Sequence, residues 1–545
     1  MIKNIRIKKL VKRIVMLFII FGIASCGGDT ADDNDNGGVD LPNLPPVVFM
    51  ADKNTKGTVE LYVSSQAGED IRKLSGSMVA GGDVVDFQIS PNGIFVAYVA
   101  DQDTNQVFEL YVVNVDKAPT DSEVKVSGIP MAGNGVKEMG PGEFSFTWAP
   151  DSSRIAYLAD QRIAGVVELF SVRPDGVNNI RLSGTLGATN DVEEFAWAPN
   201  SSRIAYIADQ NIDDVLELYT APPNVAGSSI RVTSGMVSGR SVTDFEWAPD
   251  SSLLAFIADK TIQGFLQLWT TSPINSNNVL ISGGIVADGD VIDFFWAPNS
   301  SRIAYRADAF VNGDIELFTT SPTSLISTRI SGALIPGGNV TDFSWGPDSS
   351  LVAYIADQEI DNVFELFASG PQGVINEKIS ANLVLGGDVF NFQWEPKSNL
   401  IAYNADGVTN DVIELFTTTA PPFFLSIIKV SGNMTGSGLE DNFQWAPDSS
   451  RIAYLADQDQ VNVIELFTST PNGSINDRSS GDLVLGGDVS EFEWEPGSQG
   501  IAYIADQDTF GINELYVSTP SGSKNDKISG SLVPGGSVVQ FDWTP

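Results

Sequence analysis

A segment of about 49 residues returns ten times along this chain, and that periodicity restricts the fold more than any other feature. Its first anchor, Phe-x-Trp-x-Pro, begins at Phe146, Phe195, Phe245, Phe294, Phe343, Phe392, Phe443, Phe492 and Phe541. A degenerate copy begins at Phe87, with Ile89 in place of the Trp. The second anchor, aromatic-x-Ala-Asp, ends at Asp52, Asp101, Asp160, Asp209, Asp259, Asp308, Asp357, Asp406, Asp457 and Asp506. A repeat of this size cannot bury its apolar face alone, so neighbours must stack into a solenoid or a propeller.

Within a unit the pattern is that of short strands. FQWAP (443–447) alternates apolar and polar residues and stops at a proline, which cannot keep donating to a ladder. A DSS turn, the apolar RIAYLAD, a polar loop, the β-branched and aromatic VIELFTS and a brief fourth strand such as IRLSG follow. A Gly-rich run such as LVLGGDV leads into the next Phe-x-Trp. No helical period is sustained after residue 26. Four strands per unit predict an all-β fold, a β-propeller of about ten four-stranded blades.

The termini predict how the ring closes. The globular part begins near Pro46 with VVFMAD, a second strand, and ends at Pro545 after FDWTP, a first strand. Each end is half a blade, and the two halves complement one another. Two five-bladed rings in tandem, divided after Pro298, fit the same count. Yet the step from the Pro of the first anchor to the Asp of the second is ten residues in all nine internal units, Pro298 to Asp308 included. A single ring is the better reading. The step from Phe87 to Phe146 is 59 residues, with extra loop around 115–124 and 129–143, a candidate contact site.

Residues 1–25 carry the address. MIKNIRIKKLVKR holds six basic residues and no acid, and an apolar run follows, the arrangement of a secretory signal peptide. The run ends in Ile23-Ala24-Ser25-Cys26, which resembles the lipobox of bacterial lipoproteins. That resemblance implies cleavage before Cys26 and lipid attachment to it, anchoring the protein in the cell envelope. The absence of Asp after Cys26 leans toward the outer membrane. Residues 26–45 are Gly, Asp, Asn and Pro with little to bury and read as a flexible acidic tether before the propeller of 46–545.

The repeat also resembles a known family. SRIAYLADQ, ELF, PNG and SG preceded by W-x-P-D is similar to the PD40 repeats of the TolB-like, WD40-like propellers, over about 500 of 545 residues. The resemblance implies a β-propeller fold built from such repeats.

Charge and composition narrow the chemistry. With 31 basic and 69 acidic residues the chain carries a net charge of −38, which repels nucleic acid and anionic headgroups. Membrane attachment would therefore come from the lipid at Cys26. The chain has no His, which removes His-based triads and His-ligated zinc. Its one Cys is assigned to lipid, and no Gly-x-Ser-x-Gly elbow is present.

One recurring constellation could carry chemistry. Eight residues after each repeat Asp stands an acid: Glu60, Glu109, Glu168, Glu217, Glu316, Glu365, Glu414, Glu465 and Glu514, with Gln267 breaking the series. Paired carboxylates around a loop could hold Ca²⁺. Alternatively, each Asp accepts hydrogen bonds from its own turn while each Glu faces a Lys, Arg or backbone donor on the neighbouring blade. Repetition in every unit favours the structural role, and no cofactor is expected. The Trp series reads likewise as core, with each indole N–H finding a partner.

The expected function is a non-enzymatic scaffold, a monomeric ring tethered to a bacterial membrane that binds a protein or an envelope polymer. Two alternatives are a carboxylate-dependent polysaccharide-degrading enzyme and a Ca²⁺-binding structural surface protein. The loops between second and third strands vary most, while the strands around them hardly change. This places the partner on the face bearing Asp213, Asp214, Asp361, Asp411 and Asp459.

Overall fold

The computed structural model describes residues 44–545 apart from 66–67, 69, 129–134, 141–142, 287–288 and 423–424. Cys26, the stretch read as a signal peptide and residues 26–43 of the expected tether lie outside the described residues, as does most of the enlarged loop at 129–143. Leu44, near the end of that tether, is buried against blades 10 and 1.

Ten four-stranded antiparallel sheets follow one another as the blades of a single β-propeller. In blade 4, for example, the strands run Val192–Trp197, Ile204–Ala208, Glu217–Ala221 and Ile230–Arg231 from first to fourth. First strands of consecutive blades are linked to one another by side-chain bonds and form the inner ring. Fourth strands of two or three residues form the rim. Blades are numbered here from the one containing residues 47–73, so blade 8 spans 389–429 and blade 10 spans 489–527.

The ring closes within blade 1. Its first strand is Val538–Trp543, and its other three are Val47–Ala51, Glu60–Ser64 and Ile71–Lys73. Val47 pairs with Trp543 and Phe49 with Phe541, so the two chain ends share one sheet as their half-blades predicted. The alternative break after Pro298 would fall inside blade 6, but there Val291–Trp296 pairs with Ile303–Ala307 in one sheet, so no break divides the ring.

Second strands such as IAYIA are buried throughout, because a blade is covered on both faces by its neighbours. The tyrosine at the centre stacks on the aromatic opposite it in the third strand, as Tyr157 does on Phe170 at 5.5 Å. Each Trp of the first anchor is buried, and its Nε1 donates to a carbonyl in the preceding blade's first strand. Trp345 reaches Phe295 O at 3.1 Å, and Trp543 reaches Glu493 O at 3.2 Å. Nine such bonds, from Trp148 to Trp543, join neighbouring blades along the inner ring.

The DSS turn adds a second connection. Ser201, Ser251, Ser300 and Ser349 adopt left-handed φ of 59° to 64°, a conformation that costs a side chain about 1–2 kcal/mol. In that position each hydroxyl accepts an N–H from the preceding blade's turn, as Ser300 does from Asp250 at 3.0 Å. The insertion in blade 2 adds a one-turn helix, Pro119–Ser122, the one helix among the described residues.

At the seam between blades 10 and 1, burial raises two carboxyls of adjacent first strands, and at Glu493 repulsion from Asp542 and Glu491 adds to it. Glu493 is pushed well above the usual range, and Asp542 is pushed up to about 7. A carboxyl whose folded pKa lies above its unfolded value penalises the fold once ionised. That penalty is absent below about pH 4 and full above about 7. Asp542→Asn is therefore expected to raise the melting temperature at pH 8 and to leave it nearly unchanged at pH 4. A melting series across this interval checks it; an equal shift at both ends would refute the charge account.

Candidate binding face

In most blades the two loops at the variable end are tied down by one carboxylate. In blade 8, Asp406 accepts from Asp388 N at 2.5 Å through Oδ1 and from Asp411 N at 3.0 Å through Oδ2. The first bond holds the turn that leads into the first strand; the second holds the hairpin between second and third strands. Asp388 in turn accepts Phe364 N of blade 7 at 2.8 Å. Its own carboxyl is raised, first by burial, with the Phe364 N–H opposing and Asp406 adding repulsion. The same relay recurs at Asp101 with Asp83, Asp209 with Asp191, Asp308 with Asp290 and Asp506 with Asp488. Nine of the ten repeat Asp residues thus accept from their own hairpin turn, as expected; Asp457 instead accepts from Ser437 N and Gly438 N of the lead-in turn.

Asp406→Ala leaves two N–H groups without their acceptor and is expected to cost about 2–4 kcal/mol. Asp406→Asn, which keeps an acceptor for one of them, should cost less. Urea unfolding of the two variants measures the difference, and equal values would sink this account of Asp406.

Each Glu of the series serves a different partner from the one expected. Instead of a donor on the neighbouring blade, a cation on the fourth strand of the same blade meets it. Arg181 reaches Glu168 at 2.6 Å, Arg231 reaches Glu217 at 3.0 Å, and Arg329 reaches Glu316 at 2.7 Å. Lys73, Lys125, Lys378, Lys429, Arg478 and Lys527 do the same in their blades. The cation sits opposite the third-strand aromatic two residues after the Glu, so cross-strand register selects the pairing. Where Gln267 interrupts the acids, Leu280 occupies the cation's register position. Acid and base are lost together.

The Asp and the Glu therefore do not form a joint cage. Among the described residues no group of three or more carboxylates, His or Cys is gathered to hold a metal ion.

What remains free to differ is the tips. Asp213, Asp214, Asp361, Asp411 and Asp459 are all exposed in the hairpin loops of blades 4, 7, 8 and 9. They stand on one face of the ring, spread over four blades, with Asp213 and Asp214 adjacent on blade 4. Asp213 also accepts from Thr189 and Asn190 in the lead-in turn of its own blade. Asp214 and Asp411 hold left-handed turn positions, with φ of 60° and 63°.

The same loops expose a series that acidity alone does not disclose. Ile163, Ile212, Ile262, Val311, Ile360, Val408, Val461 and Phe510 project from the hairpins of eight consecutive blades. Leu385 and Leu485 project from adjoining lead-in turns. An Ile or Val recurs at one place in loops such as DQRIAGV and DQEIDNV, a sign legible in the sequence. Its exposure follows from the hairpin's geometry.

No protein-family model matches the chain, and no curated protein matches it in sequence. Several solved structures resemble it in shape. A eukaryotic initiation factor is 11% identical across 92% of this chain and 99% of its own, with a TM-score of 0.48. The dipeptidyl peptidase 4 of Porphyromonas gingivalis is 12% identical across 77% of this chain and 64% of that one, with a TM-score of 0.47. An oligogalacturonate lyase from Vibrio parahaemolyticus is 13% identical across 71% and 99%, with a TM-score of 0.35. At such identities the likeness concerns architecture and does not extend to chemistry. The chain is placed by its own strand order, as a ten-bladed propeller.

Proposed function

We propose that this chain is a non-enzymatic binding scaffold, tethered to a bacterial envelope membrane through Cys26, and that its loop face takes up a protein or an envelope polymer. One observation carries the reading. The repeated carboxylates are engaged in holding the blades, whereas the variable tips leave acidic and apolar side chains in solvent on a single face. The lipobox-like Ile23-Ala24-Ser25-Cys26 and the PD40-like repeat support an envelope address.

Two measurements test it. Cys26→Ala is expected to lose labelled fatty acid and to leave the membrane fraction. Lys at positions 213, 214, 361, 411 and 459 is expected to weaken capture of the partner by crosslinking from envelope membranes, most strongly at low salt. Unchanged capture and an unchanged salt dependence would remove the loop face from consideration.

A further inference from the structure

Resting on the binding-face reading above, we infer that the arc of the face formed by blades 6 to 10 docks a cationic apolar protein segment, one that interleaves Leu-, Ile- or Phe-type side chains with Lys or Arg.

The apolar half of the inference comes from turn geometry. Leu385 and Leu485 are each 99% exposed. Each occupies the second position of a turn closed at 2.9 Å, by Gly387 N to Val384 O and by Gly487 N to Val484 O. The third position is glycine with positive φ, 84° at Gly386 and 80° at Gly486. Blades 7 and 1 fill the second position with Pro336 and Pro534, so the turn itself has no need of a large apolar residue. Nothing in the fold gains from these two leucines while water surrounds them. They do not stand alone: Gly486 packs on the exposed ring of Phe510, and Gly386 lies against the hairpin that carries Val408.

The cationic half comes from charge. Hairpin loops 308–315, 357–364, 406–413, 457–464 and 506–513 contain no Lys or Arg. Those of blades 1, 3 and 5 do, at Lys53, Lys56, Arg162 and Lys260. Along the arc Asp361, Asp411 and Asp459 are exposed, with no cation paired to them among the described residues. A neutral apolar partner that covered the leucines would desolvate these acids without pairing them. An anionic lipid surface would be repelled. A segment that supplies both apolar side chains and cations satisfies both halves of the surface.

The test uses the intact propeller and short synthetic peptides. An amphipathic Leu/Lys peptide is expected to bind. Its Leu/Gln and Ser/Lys counterparts should bind at least tenfold more weakly. Leu385→Ser and Leu485→Ser should each weaken the Leu/Lys peptide about tenfold, the value of one buried leucine. No binding of that peptide, or equal binding of the Leu/Gln peptide, overturns the inference.

A photocrosslinker placed at 385 or 510 in envelope preparations separates the partner class from the face, with one at the exposed Val374, in the turn between third and fourth strands of blade 7 on the opposite face, as control. Crosslinks from 385 and 510 to segments rich in Lys or Arg and apolar residues support the inference. Crosslinks from those positions to an acidic or uncharged segment or a glycan overturn the partner class and leave the face standing. Crosslinks from 374 alone overturn both.

Discussion

A chain lacking residues 541–545 is expected to melt far below the full-length protein and to aggregate as it does so. The deletion removes Phe541 and Trp543, both almost fully buried, from the cluster that joins blades 10 and 1. It also removes the pairings of Val47, Val48 and Phe49, the Trp543 Nε1 bond to Glu493 O, and both bonds from Thr544 to Pro46 O. Loss of a core Phe or Trp costs about 3–5 kcal/mol each. The loss also bares the edge of Val47–Ala51, a buried apolar strand, to other chains. Phe541→Ala, which keeps the strand, should show the packing loss without the aggregation. Thermal melts with light scattering measure both, and a truncated chain as stable and as soluble as the parent would show that the ring does not depend on this closure.

The ring was legible in the chain because its determinants are local and repeated. Phe-x-Trp-x-Pro, the invariant ten-residue hairpin step and the half-units at the ends require no knowledge of pairing. The partner of each Glu was not legible in the same way. It depends on the register between a third strand and a fourth strand as short as Ile180–Arg181, and such strands have little pattern of their own. One signal was available: Gln267 and Leu280 depart from the repeat in the same blade, as two halves of a lost ion pair would. On the proposed binding face the acids were legible in the loop sequences, whereas the exposure of the apolar tips beside them needed the hairpin and turn geometry that directs them outward.

A chain carrying Tyr at 170, 318, 367, 416 and 467 together is expected to be more stable than the parent by roughly 5 kcal/mol. The third strand reads Glu-Leu-Tyr in some blades and Glu-Leu-Phe in others. Where Tyr is present its hydroxyl donates to Oε2 of the Glu two residues before it, as in Tyr111 to Glu109, Tyr219 to Glu217 and Tyr516 to Glu514, each at 3.0 Å. Where Phe is present, at Glu168, Glu316, Glu365, Glu414 and Glu465, the buried Oε2 has no hydrogen-bond donor in the protein. The cation on the fourth strand serves only Oε1 in these blades. Burial accordingly raises the Glu316 and Glu465 carboxyls, against the lowering effect of their Arg partners.

Each added hydroxyl extends a ring already stacked in place and supplies the missing donor, worth about 1 kcal/mol. The five sites lie on separate blades with separate acceptors, so their effects should add. The sign with pH also follows. A donor to Oε2 favours the ionised carboxylate, so the gain should be present at neutral pH and shrink as acid protonates these glutamates. Urea unfolding at pH 7 and pH 4 measures both quantities. A variant no more stable than the parent at pH 7 would mean that the five carboxylates lack nothing that a tyrosine can give.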